Sequence, residues 1–116
     1  MRRRRYEILV PLRHNDARPV DGEAFEQTRE ELVAQFGAIS LLPHSVPGIW
    51  VHEGTRYDDE LLRLVVDVED TPENQRFFEG YKAILLERFE QIEIYLAAYP
   101  VDILQGAARE IRPDDC

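Results

Sequence analysis

The stretch "GIWVHEGTRYDDELLRLVVDV", from Gly48 to Val68, predicts a β-hairpin and decides the fold. Its second half alternates strictly, which is typical of a strand with one buried face. The apolar face carries Leu62, Leu64, Val66 and Val68, and the other face carries Leu61, Arg63, Val65 and Asp67. This hairpin is therefore expected to supply two strands of an antiparallel sheet, here numbered the second and third.

A helix is predicted on each side of the hairpin. Before it, Asp21 is placed to cap a helix that ends at Gly37, a residue favoured in the left-handed position after a helix. After it, Thr71 is a helix cap and Pro72 suits the first helical position, so a second helix should run to about Glu90.

A strand is predicted near each end of the chain. "YEILVPL" at Tyr6–Leu12 and "QIEIYLAAYP" at Gln91–Pro100 both alternate. The order β-α-β-β-α-β is the ferredoxin-like plan, an α+β fold with a four-stranded antiparallel sheet in the order 4-1-3-2 and both helices on one face. Pro43 and Pro47 predict a bent second strand near a sheet edge.

The sequence divides the chain into a body and two tails. We expect a basic N-terminal tail at residues 1–5, a single ferredoxin-like domain at 6–104 and a flexible C-terminal tail at 105–116. Arg2 to Arg5 hold four of the 14 basic residues, which leaves 10 basic against 23 acidic residues in the rest. An acidic body repels phosphate backbones, so no nucleic-acid partner is expected.

The sequence predicts a cytoplasmic protein with no membrane contact. Glu7 interrupts the apolar stretch after the arginines, which is shorter than the core of an export signal. No stretch approaches the roughly 20 apolar residues of a membrane span. Cys116 is the only cysteine, so an intramolecular disulfide and a cysteine metal cluster are excluded.

The sheet face opposite the helices, called the open face below, holds the candidate ligand or interface residues. By alternation Ile49 and Val51 should point toward the core. The candidates pointing outward are Trp50, His52, Arg63, Val65, Asp67, Tyr95 and Tyr99. A mixed aromatic and apolar surface of this kind is typical of an interface or a binding site. The leading hypothesis is a non-catalytic binding module that forms a homodimer by packing two open faces together, with a protein partner or small ligand as a further possibility.

Two alternative interpretations of Trp50 remain. In the first, the protein is a small cofactor-independent enzyme or ligand sensor of the dimeric α+β barrel type, with a pocket near Trp50 and His52. In the second, the tryptophan simply covers its own sheet edge. In the enzyme, His52 paired with Asp67 or Arg63 would act as a general base. An enzyme needs a concave cavity with converging polar groups, whereas an interface can be flat.

No cofactor or metal is expected. His14, His44 and His52 lie in different elements or loops and form no metal-binding spacing. The two central strands offer no aromatic side chains on the open face for stacking RNA bases.

The run "PGIWVHEG", followed by an acidic residue, an apolar strand and "DTPENQRFF", resembles a pattern in small bacterial proteins of unknown function with a ferredoxin-like domain. The matching residues are Gly48, Trp50, Gly54, Glu60, Thr71, Pro72 and Phe78. The resemblance covers Tyr6 to Leu104. It implies the fold and a bacterial origin, and it implies no activity.

Overall fold

The structure, a computed structural model, describes residues 2–104 apart from the side chains at positions 43 and 44. Its elements are β1 (Arg2–Pro11), α1 (Gly22–Phe36), β2 (Ser40–His52), β3 (Thr55–Glu69), α2 (Pro72–Arg88) and β4 (Tyr95–Asp102). The predicted flexible tail at 105–116, with Cys116, lies outside the described residues.

The strands form one antiparallel sheet in the order β2-β3-β1-β4. This is the predicted order 4-1-3-2, counted from the other edge. β1 and β3 are central, and β2 and β4 are the edges. β2 is continuous across the two prolines, but its register with β3 shifts between Leu42 and Val46. Such an irregularity lets prolines stay in an edge strand.

Both helix starts and the end of α1 follow the predicted capping residues. The Asp21 carboxylate accepts a hydrogen bond from Glu23 N at 3.0 Å, and the Thr71 hydroxyl accepts one from Asn74 N at 3.2 Å. Gly37 ends α1 with φ 84°, the left-handed conformation that favours glycine.

Both helices cover the same face of the sheet. Tyr6, Ile8 and Val10 of β1 are buried in a core that includes side chains from both helices. Phe78 of α2 stacks on Tyr6 with ring centroids 3.9 Å apart, and Leu32 of α1 is fully buried. Of the four β3 side chains that alternation predicts on the core face, Leu64, Val66 and Val68 are buried, and Leu62 is partly buried against the core.

β1 begins at Arg2, so the predicted basic tail at residues 1–5 is wrong for the four arginines. Arg3 lies opposite Glu69 of β3, Arg5 lies opposite Asp67, and Arg2 lies opposite Asp102 of β4. Opposite charges on neighbouring strands stabilise a sheet. The acidic residues near the ends of β3 and β4 therefore allow β1 to extend through the arginine run, which was predicted to be a solvated tail.

The β2–β3 hairpin continues beyond β1 as a two-stranded ribbon, because β1 ends opposite Leu61. Glu53 and Gly54 have φ values of 49° and 79°, the conformation of a two-residue hairpin turn. The predicted burial of Ile49 and Val51 is wrong: they are 65% and 67% exposed. They lie on the helix side of the sheet, but the helices do not reach this part of the ribbon.

Candidate functional site

The centre of the open face carries a two-hydrogen-bond ion pair between β1 and β3. Arg5 Nε donates to Asp67 Oδ1 at 2.7 Å, and Arg5 Nη2 donates to Oδ2 at 2.9 Å. The hydrogen bond from Arg5 lowers the pKa of Asp67, and the same bond raises the pKa of Arg5. Each charge of this pair is therefore matched by a partner within the fold.

A second ion pair lies beside the first. Arg63 Nε is 2.6 Å from Glu7 Oε1, and Arg63 Nη2 donates to Glu7 Oε2 at 3.1 Å. The Tyr99 hydroxyl, on β4, also donates to Glu7 Oε2 at 3.1 Å. The hydrogen bond with Glu7 raises the pKa of Arg63. Three strands are thus joined across the open face by polar side chains.

These pairs change the expected character of the open face. Val65, predicted to be a contact residue, is only 8% exposed in the single chain. The suggested pairing of His52 with Asp67 or Arg63 is wrong, because both are bound to β1. The His52 Nε2 atom is instead 3.9 Å from Glu53 Oε1. The centre of the face is a layer of ion pairs, whereas the sequence predicted a mixed aromatic and apolar surface.

Trp50 lies farther out on the hairpin, where it is held by β3. Its indole Nε1 donates to Asp59 Oδ2 at 2.6 Å, and its ring stacks on Tyr57 with centroids 4.5 Å apart. Tyr57 is its direct cross-strand neighbour. The indole therefore has a fixed position, with its polar edge directed at a carboxylate.

A groove of about 430 Å³ lies between this hairpin and the segment that leads into β4. We call it the hairpin groove. Its apolar and aromatic lining is Leu9, Pro11, Ile49, Trp50, Leu61, Ile94, Tyr95 and Leu96, and its other lining residues are Gly48, Asp59, Lys82, Gln91 and Glu93. Its volume is in the range of small-molecule sites.

An ion pair forms one side of the hairpin groove. Lys82 Nζ of α2 is 2.8 Å from Glu93 Oε1, which also accepts a hydrogen bond from Ile94 N at 2.9 Å. The hydrogen bond from Lys82, followed by the one from Ile94, lowers the pKa of Glu93. These bonds lie just before β4, which begins at Tyr95. The alternation predicted an earlier start, at Gln91.

The predicted site residues are divided between two places. Trp50 and Tyr95 line the hairpin groove, whereas Arg63, Asp67 and Tyr99 belong to the ion-pair layer. His52 is not among the groove-lining residues.

Sequence reasoning missed Asp59, Lys82 and Glu93. Asp59 had a usable signal, since it follows Tyr57 by two residues and so shares its strand face. Lys82 and Glu93 had none, because α2, a loop and the start of β4 bring them together.

Neither a cluster of candidate metal ligands nor a membrane-spanning helix is found in the described part of the chain. Within residues 2–104, positions 43 and 44 excepted, no group of three or more His, Cys, Asp or Glu side chains is arranged to hold a metal ion. No helix in the same range is both long and apolar enough to cross a membrane.

The architecture is that of an α+β protein with a ferredoxin-like fold. Among solved structures, the chain is similar to the divalent cation tolerance protein CutA1 from Thermus thermophilus. The two share 16% sequence identity with a TM-score of 0.56, over 90% of this chain and 87% of that chain. At this identity the likeness shows the fold alone. No protein-family model matches the chain, and no curated protein does.

Proposed function

We propose that this protein is a non-catalytic binding module and that the hairpin groove is its binding site. The observation that carries the proposal is the groove itself, a mainly apolar concavity with a few polar groups that converge on it. Leu9 and Leu61 supply apolar surface from the two central strands, and Asp59 supplies a carboxylate whose position Trp50 holds. Such a lining suits a small, mostly apolar ligand.

The enzyme alternative receives less support from the same geometry. It required a cavity beside His52, with Asp67 or Arg63 to tune a general base. His52 does not line the groove, and both proposed partners are bound elsewhere. The role named for the Thermus protein, divalent cation tolerance, is linked to this chain by a likeness of fold only, so metal titration serves as a control in the experiment below.

Trp50 is the only tryptophan, so its fluorescence reports directly on the groove. We expect phenylbutanol, a neutral probe with an apolar body, to change Trp50 emission saturably and to raise the melting temperature. Ligand binding to the folded state alone stabilises it. Copper, zinc or magnesium ions in place of the probe should produce neither effect.

Two matched variants locate the probe. Leu9 and Leu42 lie on the open face, each directly opposite Arg63 on neighbouring strands, but only Leu9 lines the groove. Leu9→Gln should weaken phenylbutanol binding at least about tenfold, and Leu42→Gln should leave it unchanged. The proposal is wrong if wild type does not respond to the probe, or if both variants respond alike.

Self-association is a second candidate function, and the charge-free edge strand favours it. β2, Ser40–His52, contains no Asp, Glu, Lys or Arg, although these residues form 32% of the chain. Edge strands usually carry charges, prolines or bulges that prevent pairing with other chains. The prolines and the register shift of β2 lie within residues 42–47, so the part of this edge that is open to pairing is residues 48–52. Ile49 and Val51 add exposed apolar side chains to this edge.

A second copy is the occupant that fits this edge best. Two antiparallel copies of one strand present the same surface to each other about a two-fold axis. Each chain carries a net charge of −9, so the approach of two copies is least unfavourable where the contacting strand has no charge. The proposed dimer contact thereby moves from the ion-paired open face to the β2 edge.

Native mass spectrometry with a reducing agent, which keeps Cys116 from linking chains, tests the dimer. We expect a dimer for wild type, and monomer for Ile49→Lys. Ile84→Lys on α2 is the matched control, because Ile84 is also an exposed isoleucine, at 48%. A monomeric wild type at micromolar concentration, or equal effects of the two lysines, would contradict self-association through β2.

A further inference from the structure

Asp59 is the one groove carboxylate whose charge is not matched by a cation among the described residues. Its Oδ2 atom accepts a hydrogen bond from the Trp50 indole, a neutral donor. None of the salt bridges between residues of the described range includes Asp59. Asp59 itself is only partly exposed. A partly buried carboxylate with one free oxygen favours a positively charged partner.

The other charges of the hairpin groove cancel each other. The Lys82 Nζ atom is 2.8 Å from Glu93 Oε1. The ammonium group of Lys82 is therefore already paired with a carboxylate of the same groove. The net charge of the lining is therefore that of Asp59, and the chain as a whole adds further negative potential. An anionic ligand would meet repulsion from both.

The aromatic side chains of the groove also suit a cation. Trp50, fixed by its stack on Tyr57, lines the groove together with Tyr95, which is 57% exposed. An ammonium group near an aromatic face is attracted by the ring electrons, most strongly for tryptophan. The apolar body of the same ligand would lie against Leu9 and Leu61.

We infer that the hairpin groove takes a small organic cation, with an apolar chain or ring that ends in a primary ammonium group held by Asp59. This inference rests on the proposed function of the groove as a binding site, and it adds the chemical class of the ligand. The apolar body supplies affinity through burial, and the ammonium group supplies selection through its charge.

Three probes with the same apolar body test the inference: phenylbutylamine, phenylbutanol and phenylbutyrate. Each is titrated against wild-type protein, with Trp50 fluorescence and isothermal calorimetry as readouts. We expect the amine to bind about tenfold or more tightly than the alcohol, because a charge-assisted hydrogen bond replaces a neutral one. The carboxylate should bind more weakly than the alcohol.

Asp59→Asn and Asp58→Asn form a matched pair of variants. Asparagine at 59 keeps a carbonyl oxygen for the Trp50 indole but removes the charge, so the amine should fall to the affinity of the alcohol. Asp58 lies on the other face of β3, where its Oδ1 atom accepts a hydrogen bond from Arg56 Nη2 at 2.9 Å. Asp58→Asn should therefore still bind the amine more tightly than the alcohol. If Asp59→Asn does not fold, the salt dependence of wild type replaces it as the test. Rising salt should then weaken binding of the amine and leave binding of the alcohol unchanged, because salt screens the interaction between charges.

The outcomes separate this inference from the function on which it rests. If the alcohol binds and the amine binds no more tightly, the groove is a binding site and the ammonium preference is overturned. If the carboxylate binds most tightly, the inference is overturned and Lys82 becomes the selecting group. If no probe binds, both proposals fail.

Discussion

Asp67 is a carboxylate whose charge is paired within the fold. It takes two hydrogen bonds from Arg5, and its side chain is 27% exposed. Because the hydrogen bond from Arg5 lowers the pKa of Asp67, the stabilisation is complete above the ordinary pKa of an aspartate, about 4. It is lost as the pH falls through the lower pKa of the folded state.

Asp67→Asn should therefore reduce the free energy of unfolding at neutral pH by about 1 kcal/mol, a modest value because solvent screens the pair. The loss should shrink toward zero as the pH falls through the pKa of folded Asp67, where the wild-type carboxylate becomes protonated. Urea unfolding of both proteins across this range measures it. Asp58→Asn removes an exposed carboxylate and should show a smaller effect. A loss that is constant with pH would contradict the role of the charge.

Among the elements, the β2–β3 hairpin has the most demanding backbone. Its turn places Glu53 and Gly54 at positive φ, where most side chains are strained. A methyl group at Gly54 would meet no atom within 4 Å, so any cost of adding it comes from the backbone alone. Gly80 offers a contrast, because it lies inside α2 with equally open space around it.

Alanine at these two glycines should have opposite effects. Gly54→Ala should lower the free energy of unfolding by about 1 kcal/mol, since φ of 79° is unfavourable for alanine. Gly80→Ala should raise it by about 0.5–1 kcal/mol, because alanine is the better helix former. Thermal unfolding of both variants measures the difference. If both changes shift stability in the same direction, the backbone explanation is wrong.

The elements also show which features a sequence can reveal. The caps at Asp21 and Thr71 and the alternation of β3 were predictable, because each depends on residues a few positions apart. Two features depended on distant parts of the chain. The arginines of β1 need carboxylates more than 60 residues away, and Ile49 is exposed because neither helix reaches the part of the hairpin that extends beyond β1. The hairpin groove likewise includes Lys82 and Glu93. No helical or strand periodicity in the sequence places these two residues beside the hairpin.

At the scale of the whole molecule, a polar network joins the two helices. Arg88 of α2 donates to the Thr28 hydroxyl at 2.9 Å and to Glu31 Oε2 at 2.9 Å, and the Tyr81 hydroxyl donates to Glu31 Oε1 at 2.9 Å. Burial, with a contribution from Glu31, raises the pKa of Tyr81 from 10 to about 12. The folded molecule thus favours the neutral phenol.

This network makes a contribution to stability that is lost at alkaline pH. The contribution of neutral Tyr81 is complete below pH 10 and is lost as the pH rises through about 12. Tyr81→Phe should be about 1 kcal/mol less stable at neutral pH and should show a shallower decline between these pH values. Tyr95→Phe, at an exposed ring, should keep the wild-type slope. Equal slopes for wild type and Tyr81→Phe would contradict this account.

The central position of β1 has a consequence for synthesis on the ribosome. β1, which precedes the other described strands in the chain, pairs on one side with β3 and on the other with β4, so that Arg2 lies opposite Asp102. β1 therefore cannot pair at all until β3 has emerged, and its other edge stays unpaired until β4, which ends at Asp102, has emerged as well. Because contacts of such high sequence separation slow folding, we expect this nascent protein to fold late and to depend on chaperones more than a helical bundle of equal length.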